Sequence, residues 1–291
     1  MYEITVISGK GGTGKTVLTA AFAHLASKHI ICDLDVDASD LHILLERKRD
    51  FKKDFFSGNE AIIDQSKCIQ CGICTELCKF EAIYKTEKGP SVDPIRCEGC
   101  GVCVKHCPQN AISFPKKHCG EWYESQTNFA PMIHAQLFPG EENSGLLVSL
   151  LRKEAKKLAV ERGANLLICD GSPGIGCPVI SSLAGTNLAV IITEPTLSGM
   201  HDLKRILDLC KHFSIPAKVI INKYDLNKDQ ATLIEKYCVE NKTEVVSKIP
   251  YSKTVIEAVI MKKTIIEYDD GIVSDIIKEA WSKIKKKITN A

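Results

Sequence analysis

"EITVISGKGGTGKTVLTAAFAHLA", residues 3–26, sets a short apolar run against a glycine-rich loop and then a helix-patterned segment. The loop, GKGGTGKT at 9–16, fits G-x-x-x-x-G-K-[ST] and lies where that motif has to lie, after a strand and opening a helix. Gly9, Gly11, Gly12, Thr13 and Gly14 let consecutive backbone N–H groups wrap phosphate oxygens. Lys15 is placed to meet the β- and γ-phosphates, and the Thr16 hydroxyl to bind Mg²⁺.

Working outward, further apolar runs occur at 29–35, 165–170, 187–193, 217–222 and 243–249. Between them lie helical patterns at 15–27, 144–161, 198–212, 228–240, 252–262 and 270–287. Near-continuous apolar strands alternating with helices predict an α/β fold with a doubly wound, mostly parallel sheet. The chain has 291 residues, 44% hydrophobic and 25% charged, enough for a substantial core. A formal charge of +2 gives no global field toward nucleic acid or an anionic membrane. No run of eighteen apolar residues occurs, and the N-terminus leads directly into a strand, so the expectation is a cytoplasmic protein.

Residues 62–115 break the rhythm. CIQCGICTELCKFEAI (68–83) recurs as CEGCGVCVKHCPQNAI (97–112), each cysteine repeating 29 residues on. Fourteen cysteines are many for a reducing compartment, and clustered ones there read as metal ligands rather than disulfides. The expected organisation is a P-loop domain in two parts, 1–61 and 116–291, around an insert at 62–115. Residues 118–140 are read as a strand pair returning to the main sheet. Cys32, Cys119, Cys169, Cys177, Cys210 and Cys238 are scattered, mostly in apolar stretches, and read as small buried hydrophobes.

Each copy is C-x₂-C-x₂-C-x₃-C and resembles the bacterial ferredoxin run, which implies an inserted bacterial-ferredoxin-like α+β domain. The resemblance implies one [4Fe–4S] cluster on Cys68, Cys71, Cys74 and Cys107, and another on Cys97, Cys100, Cys103 and Cys78. Structural zinc is the alternative, although zinc sites ordinarily use two separated cysteine pairs. Pro108 follows Cys107 as in ferredoxins, whereas Lys79 follows Cys78 where a second proline is usual. A lysine there favours the reduced state of the adjacent cluster slightly.

The extra lysine of the loop, Lys10, makes it resemble the deviant phosphate loop of the MinD/ParA/Mrp group of ATPases. In that group the first lysine crosses a dimer interface, so the resemblance implies a homodimer or a dimer with a related ATPase. Val17 stands where the group often has a second hydroxyl. CDLDVDASDLH (32–42) resembles switch I, with Asp35 as first choice to orient the attacking water and Asp37 as second. Ser39 and Asp40 suit helix capping instead. CDGSPGIG (169–176) resembles switch II, implying that Asp170 holds Mg²⁺ through water and Gly174 meets the γ-phosphate. TEPTLSGMHDLKR (193–205), Asn222-Lys223 and IPYS (249–252) match the subgroup with an inserted ferredoxin domain, as does GEENSGLLV (140–148).

By spacing alone Asn222-Lys223-Tyr224-Asp225 spells the N-K-x-D of GTPases, which leaves GTP open. The resemblance points to ATP, with Asn222 at the base. Cys177 lies seven residues after Asp170, the offset at which nitrogenase iron protein binds a shared cluster; a packed cysteine is the plainer reading. The basic amphipathic C-terminus, 271–291, reads as a helix covering the sheet rather than a membrane anchor. Two function classes result: an ATPase coupled to electron transfer toward a redox partner, and a metallocluster assembly or delivery factor. Spatial partitioning would explain the loop but not the cysteines.

Overall fold

The computed structural model describes residues 1–141 and 144–289. Its strands in chain order are β1 (Tyr2–Ser8), β2 (His29–Asp33), β3 (Arg49–Asn59), β4 (Ile62–Ile63), β5 (Ile83–Thr86) and β6 (Gly89–Val92). There follow β7 (Ile112–Ser113), β8 (Lys116–Gln126), β9 (Pro131–Leu137), β10 (Leu166–Pro173), β11 (Leu188–Thr193), β12 (Ala217–Asn222) and β13 (Glu244–Ile249). One sheet takes the order β13-β12-β11-β1-β10-β2-β9-β8-β3. Every pairing from β13 across to β9 is parallel, with Val6 opposite Asp170 and Cys32 opposite Ile133.

The six apolar runs are strands because both of their faces are covered. Val190 and Ile192 of β11 join Ile4, Ile168 and Ile220 against Phe22, Ala258, Ile277 and Trp281. Ile191, one residue out of phase, joins Ile7 and Val219 against Val179, Leu203 and Ile234 on the other face. Helices thus pack on both faces of the sheet, as parallel strands joined by crossovers require. The C-terminal helix Ile272–Thr289 belongs to the first of these layers. Its Trp281 stacks on Phe22 at 5.3 Å between ring centroids, so its apolar face is taken up by the core. Among the described residues no helix is long and apolar enough to cross a membrane.

β8 and β9 are the strand pair expected after the cysteine segment. β3, at the sheet edge, has no counterpart in the sequence reading. RDFKKDFFSGN alternates poorly and carries the charges that protect an edge strand, so period-two patterning does not find it. The short helix at Ile265–Tyr268 also escapes the reading, too brief for a 3.6-residue pattern.

The chain forms two units. One comprises Met1–Lys53, Trp122–Gln136 and the chain from Ser144 onward. The other comprises Asp54–Glu121 and the segment beginning at Leu137, and it contains all eight repeated cysteines. Within the second unit the sequence repeat is also a backbone repeat. Gln70 and Gly99, Gly72 and Gly101, and Glu81 and Asn110 form three pairs spaced by the repeat, all with positive φ. The helices Ile73–Leu77 and Val102–Lys105 begin at those glycines. The N–H of Asp93 donates to Ala82 O and that of Asp64 to Ala111 O, both at 2.7 Å, which ties each repeat to a strand belonging to the other half.

Candidate nucleotide site and cysteine centre

The loop after β1 turns sharply, and Gly14 shows why it must. Gly14 has φ +92°, and a Cβ there would lie 2.5 Å from Asn222 Nδ2, so only glycine fits. Asn222 Nδ2 donates to Thr13 O at 2.7 Å, and Lys223 Nζ donates to Gly12 O at 2.8 Å. The end of β12 therefore staples the loop, a structural duty beyond contacting a base. Gly9 is pressed against Asp202, where a Cβ would meet Asp202 Cβ at 2.1 Å, while Gly11 and Gly12 face open space.

Lys15 is 6% exposed and stands between switch carboxylates, 2.9 Å from Asp170 Oδ1 and 3.3 Å from Asp35 Oδ2. Burial pulls its pKa down, but Asp170, Asp35 and Asp33 outweigh that and hold it above the ordinary lysine value. Asp35 is raised chiefly by burial, with Lys15 opposing. Asp33, fully buried at the end of β2, is pushed up to about 8 by burial and by Asp170, against the pull of Lys15. The sequence reading passed over Asp33. It accepts from Asp35 N–H (3.1 Å), Ser39 Oγ–H (2.9 Å) and Leu41 N–H (3.3 Å), and so shapes the whole switch I segment. Ser39 thus serves Asp33 rather than a helix end, and Asp37 lies exposed.

Asp170 is fully buried. Its Oδ1 is engaged by Lys15 and by Thr19 Oγ1 (2.9 Å), whereas its Oδ2 is buried with no hydrogen-bond partner. Lys15 Nζ lies 3.5 Å from the Thr16 hydroxyl as well, and an orphaned carboxylate oxygen with a hydroxyl is the donor chemistry Mg²⁺ takes. Thr19 also shows where a hydroxyl stands in a helix whose Val17 lacks one. Gly174 N–H donates to Ser8 O at the end of β1 (2.9 Å), and Ser172 Oγ donates to Leu34 O at 2.7 Å, joining the 169–176 segment to the 32–42 segment.

Lys10 does not extend away from its own chain. Its ammonium pairs with Glu194 and lies 3.2 Å from Ser198 Oγ. Glu194 also receives Lys223 at 3.4 Å. Asp225 is engaged as well, its Oδ1 accepting the Tyr251 N–H at 2.7 Å.

In the other unit, Cys68, Cys71, Cys74 and Cys107 line one cavity, together with Ile69, Ile73 and Pro108. Three of these cysteines come from one repeat and the fourth from the other. Cys107 Sγ accepts Ala111 N–H at 3.3 Å and Cys78 Sγ accepts Ala82 N–H at 3.4 Å, equivalent bonds in the two repeats. Burial raises the Cys74 and Cys103 pKa values, and the neighbouring thiols (Cys68 and Cys71; Cys97 and Cys100) add to it. A metal cluster would relieve that crowding. A single zinc ion on 2.3 Å bonds would draw its sulfurs to about 3.8 Å from one another. Among the described residues no three cysteine Sγ atoms lie within 4.8 Å of one another. Four thiols around one cavity are a donor set that fits a [4Fe–4S] cluster. Cys177 is exposed at the start of its helix, while Cys32, Cys119, Cys169, Cys210 and Cys238 are buried. Glu142 and Asn143 of the GEENSGLLV stretch lie outside the described residues.

Comparisons with known proteins agree with the larger unit. The family profile of the CobQ/CobB/MinD/ParA nucleotide binding domain matches residues 4–265. The chain is 33% identical over 289 residues to an uncharacterized protein of Methanocaldococcus jannaschii, covering 98% of this chain and 97% of that one. A second uncharacterized protein of that organism is 28% identical over 276 residues, 93% of each chain. In fold the chain resembles the septum site-determining protein MinD of Pyrococcus horikoshii, solved with Mg-ADP. The TM-score is 0.59 at 15% identity, over 98% of this chain and 96% of that one. The chain belongs to the CobQ/CobB/MinD/ParA family of nucleotide-binding domains and is a P-loop ATPase.

Proposed function

We propose that the chain is an ATP-driven switch that closes as a dimer, with itself or with a related ATPase. It gates electron flow through two [4Fe–4S] clusters in residues 62–115 toward a partner oxidoreductase in the reducing cytoplasm. It would then be a MinD/ParA-type ATPase with an inserted ferredoxin-like domain. The observation that carries the reading is the cavity lined by Cys68, Cys71, Cys74 and Cys107. The ferredoxin resemblance implies that set, and a tandem pair of independent knuckles would not produce it. Bound on Cys68, Cys71, Cys74 and Cys107, and on Cys97, Cys100, Cys103 and Cys78, the clusters supply one-electron transfer.

ATP is favoured over GTP because Asp225 already accepts the Tyr251 N–H and Asn222 is turned to the loop. Mg-ADP in the P. horikoshii MinD structure supports the same cofactors, ATP with Mg²⁺. Lys15 would leave Asp35 and Asp170 for the β- and γ-phosphates, freeing Asp170 for the Mg²⁺ shell with Thr16. Asp35, no longer paired, would orient the attacking water, and Gly174 would turn its N–H from Ser8 to the γ-phosphate. Lys10 would exchange Glu194 for the nucleotide across the dimer.

Anaerobically purified protein should contain about eight iron and eight sulfide per chain. Mg-ATP should shift at least one cluster potential by about 40–130 mV, the one-electron equivalent of an ordinary allosteric coupling. Lys10→Ala should remove the shift and leave nucleotide binding. Two zinc ions and no sulfide would overturn the cluster reading. Identical potentials with and without nucleotide, partner present, would instead favour cluster delivery, the alternative that the exposed Cys177 supports.

A further inference from the structure

We propose that Asp54, His118 and Glu121 form a divalent-metal site of the zinc type, separate from both the nucleotide site and the cysteine centre. Asp54 lies on β3, and His118 and Glu121 lie on β8, its neighbour in the sheet. One ligand atom from each falls within 4.8 Å of the others, and no other group of three among the described residues does so.

The histidine makes this more than a patch of acid. Its Nε2 is buried and has no hydrogen-bond partner, although it lies 3.5 Å from Asp54 Oδ1. A hydrogen bond would draw that pair to about 2.7–3.2 Å. Two ligands on bonds of about 2.1 Å, separated by a tetrahedral angle, stand about 3.4 Å apart. The observed 3.5 Å gap matches the spacing of two ligands on one ion. The ring is held for the purpose: Phe56 stacks on it at 4.9 Å and Phe138 meets it edge-on at 4.9 Å.

One imidazole and two carboxylates select Zn²⁺ or a similar first-row ion over Mg²⁺ and Ca²⁺, which favour all-oxygen shells. Three protein ligands leave a fourth position open, as in zinc sites that keep a water. The side chains of Asp54 and His118 are 51% and 37% exposed, which leaves a path for the ion. The ion would clip β3 to β8 beside the cysteine segment.

The test uses anaerobic protein with its iron intact, dialysed against Zn²⁺ alone and counted by plasma mass spectrometry. One zinc per chain is expected beyond the iron, weakened at least about tenfold by Asp54→Asn or His118→Ala, because removing a ligand exceeds the 10- to 100-fold effect of outer-shell changes. Iron, sulfide and ATP turnover should not change. Should His118→Ala unfold by losing its place between two aromatic rings, the pair Asp54→Asn and Glu121→Gln answers the same question. No zinc retained, or zinc retained equally by all variants, overturns the proposal.

Discussion

Lys15→Ala tests the charge network at the centre of the site before any nucleotide is added. The ammonium lies 2.9 Å from Asp170 and 3.3 Å from Asp35, and each contact corresponds to about 5 kcal/mol of gross attraction at an effective dielectric near 20. The desolvation of a lysine that is 6% exposed offsets much of it. What the truncation leaves behind matters more: three carboxylates, Asp33, Asp35 and Asp170, with no cation. Breaking a buried pair in this way costs about 3–5 kcal/mol. At roughly 2–4 °C per kcal/mol, the melting midpoint should drop by about 10 °C.

The loss must depend on pH in one direction. Without Lys15 the folded-state pKa values of Asp33 and Asp35, already raised, go higher. A raised carboxylate destabilises the fold above its unfolded pKa, and the penalty is complete above the folded one. Since Asp33 already titrates at about 8, the deficit should be largest at pH 8.5 and shrink toward pH 6. Circular dichroism melts of anaerobic protein at the two pH values, with Lys15→Met to keep the aliphatic stem, measure it. Mg-ATP should no longer raise the midpoint of either variant. A deficit absent at pH 8.5, or larger at pH 6, would refute the network.

The remaining predictions are shorter. Glu194→Gln releases Lys10 from its intrachain partner and should strengthen Mg-ATP-dependent self-association by roughly fivefold, as for a pair worth about 1 kcal/mol; sedimentation measures it. Asp33→Asn removes a group whose penalty grows from about pH 4 to about pH 8, so urea midpoints should fall less steeply with pH across that range than in wild type. Cys107→Ser should damage the centre otherwise held by Cys68, Cys71 and Cys74, and Cys78→Ser the other one; paramagnetic resonance of the reduced protein separates them, and loss confined to the mutated repeat would count against crossing ligands.

What the sequence determined by itself is local or periodic. The phosphate loop is eight consecutive residues whose backbone does the binding, so GKGGTGKT is legible without a fold. Strands buried on both faces read as apolar runs, and the cysteine repeat reports itself through a fixed spacing of 29. The rest arises from contacts between residues far apart in the chain, for which no local pattern exists. Asp33 looks like one of several carboxylates in CDLDVDASD, and only its position at the end of β2 beside Asp170 makes it the most deeply buried of them. Glu194 is 184 residues from Lys10, and Asn222 is 209 from Thr13, yet strand order places them together. Asp54, His118 and Glu121 carry no spacing signature, because β3 and β8 become neighbours only after the intervening 56 residues, 60–115, have folded back. Spacing encodes chemistry where the backbone is continuous; where a sheet must first be assembled, tertiary structure decides which side chains meet.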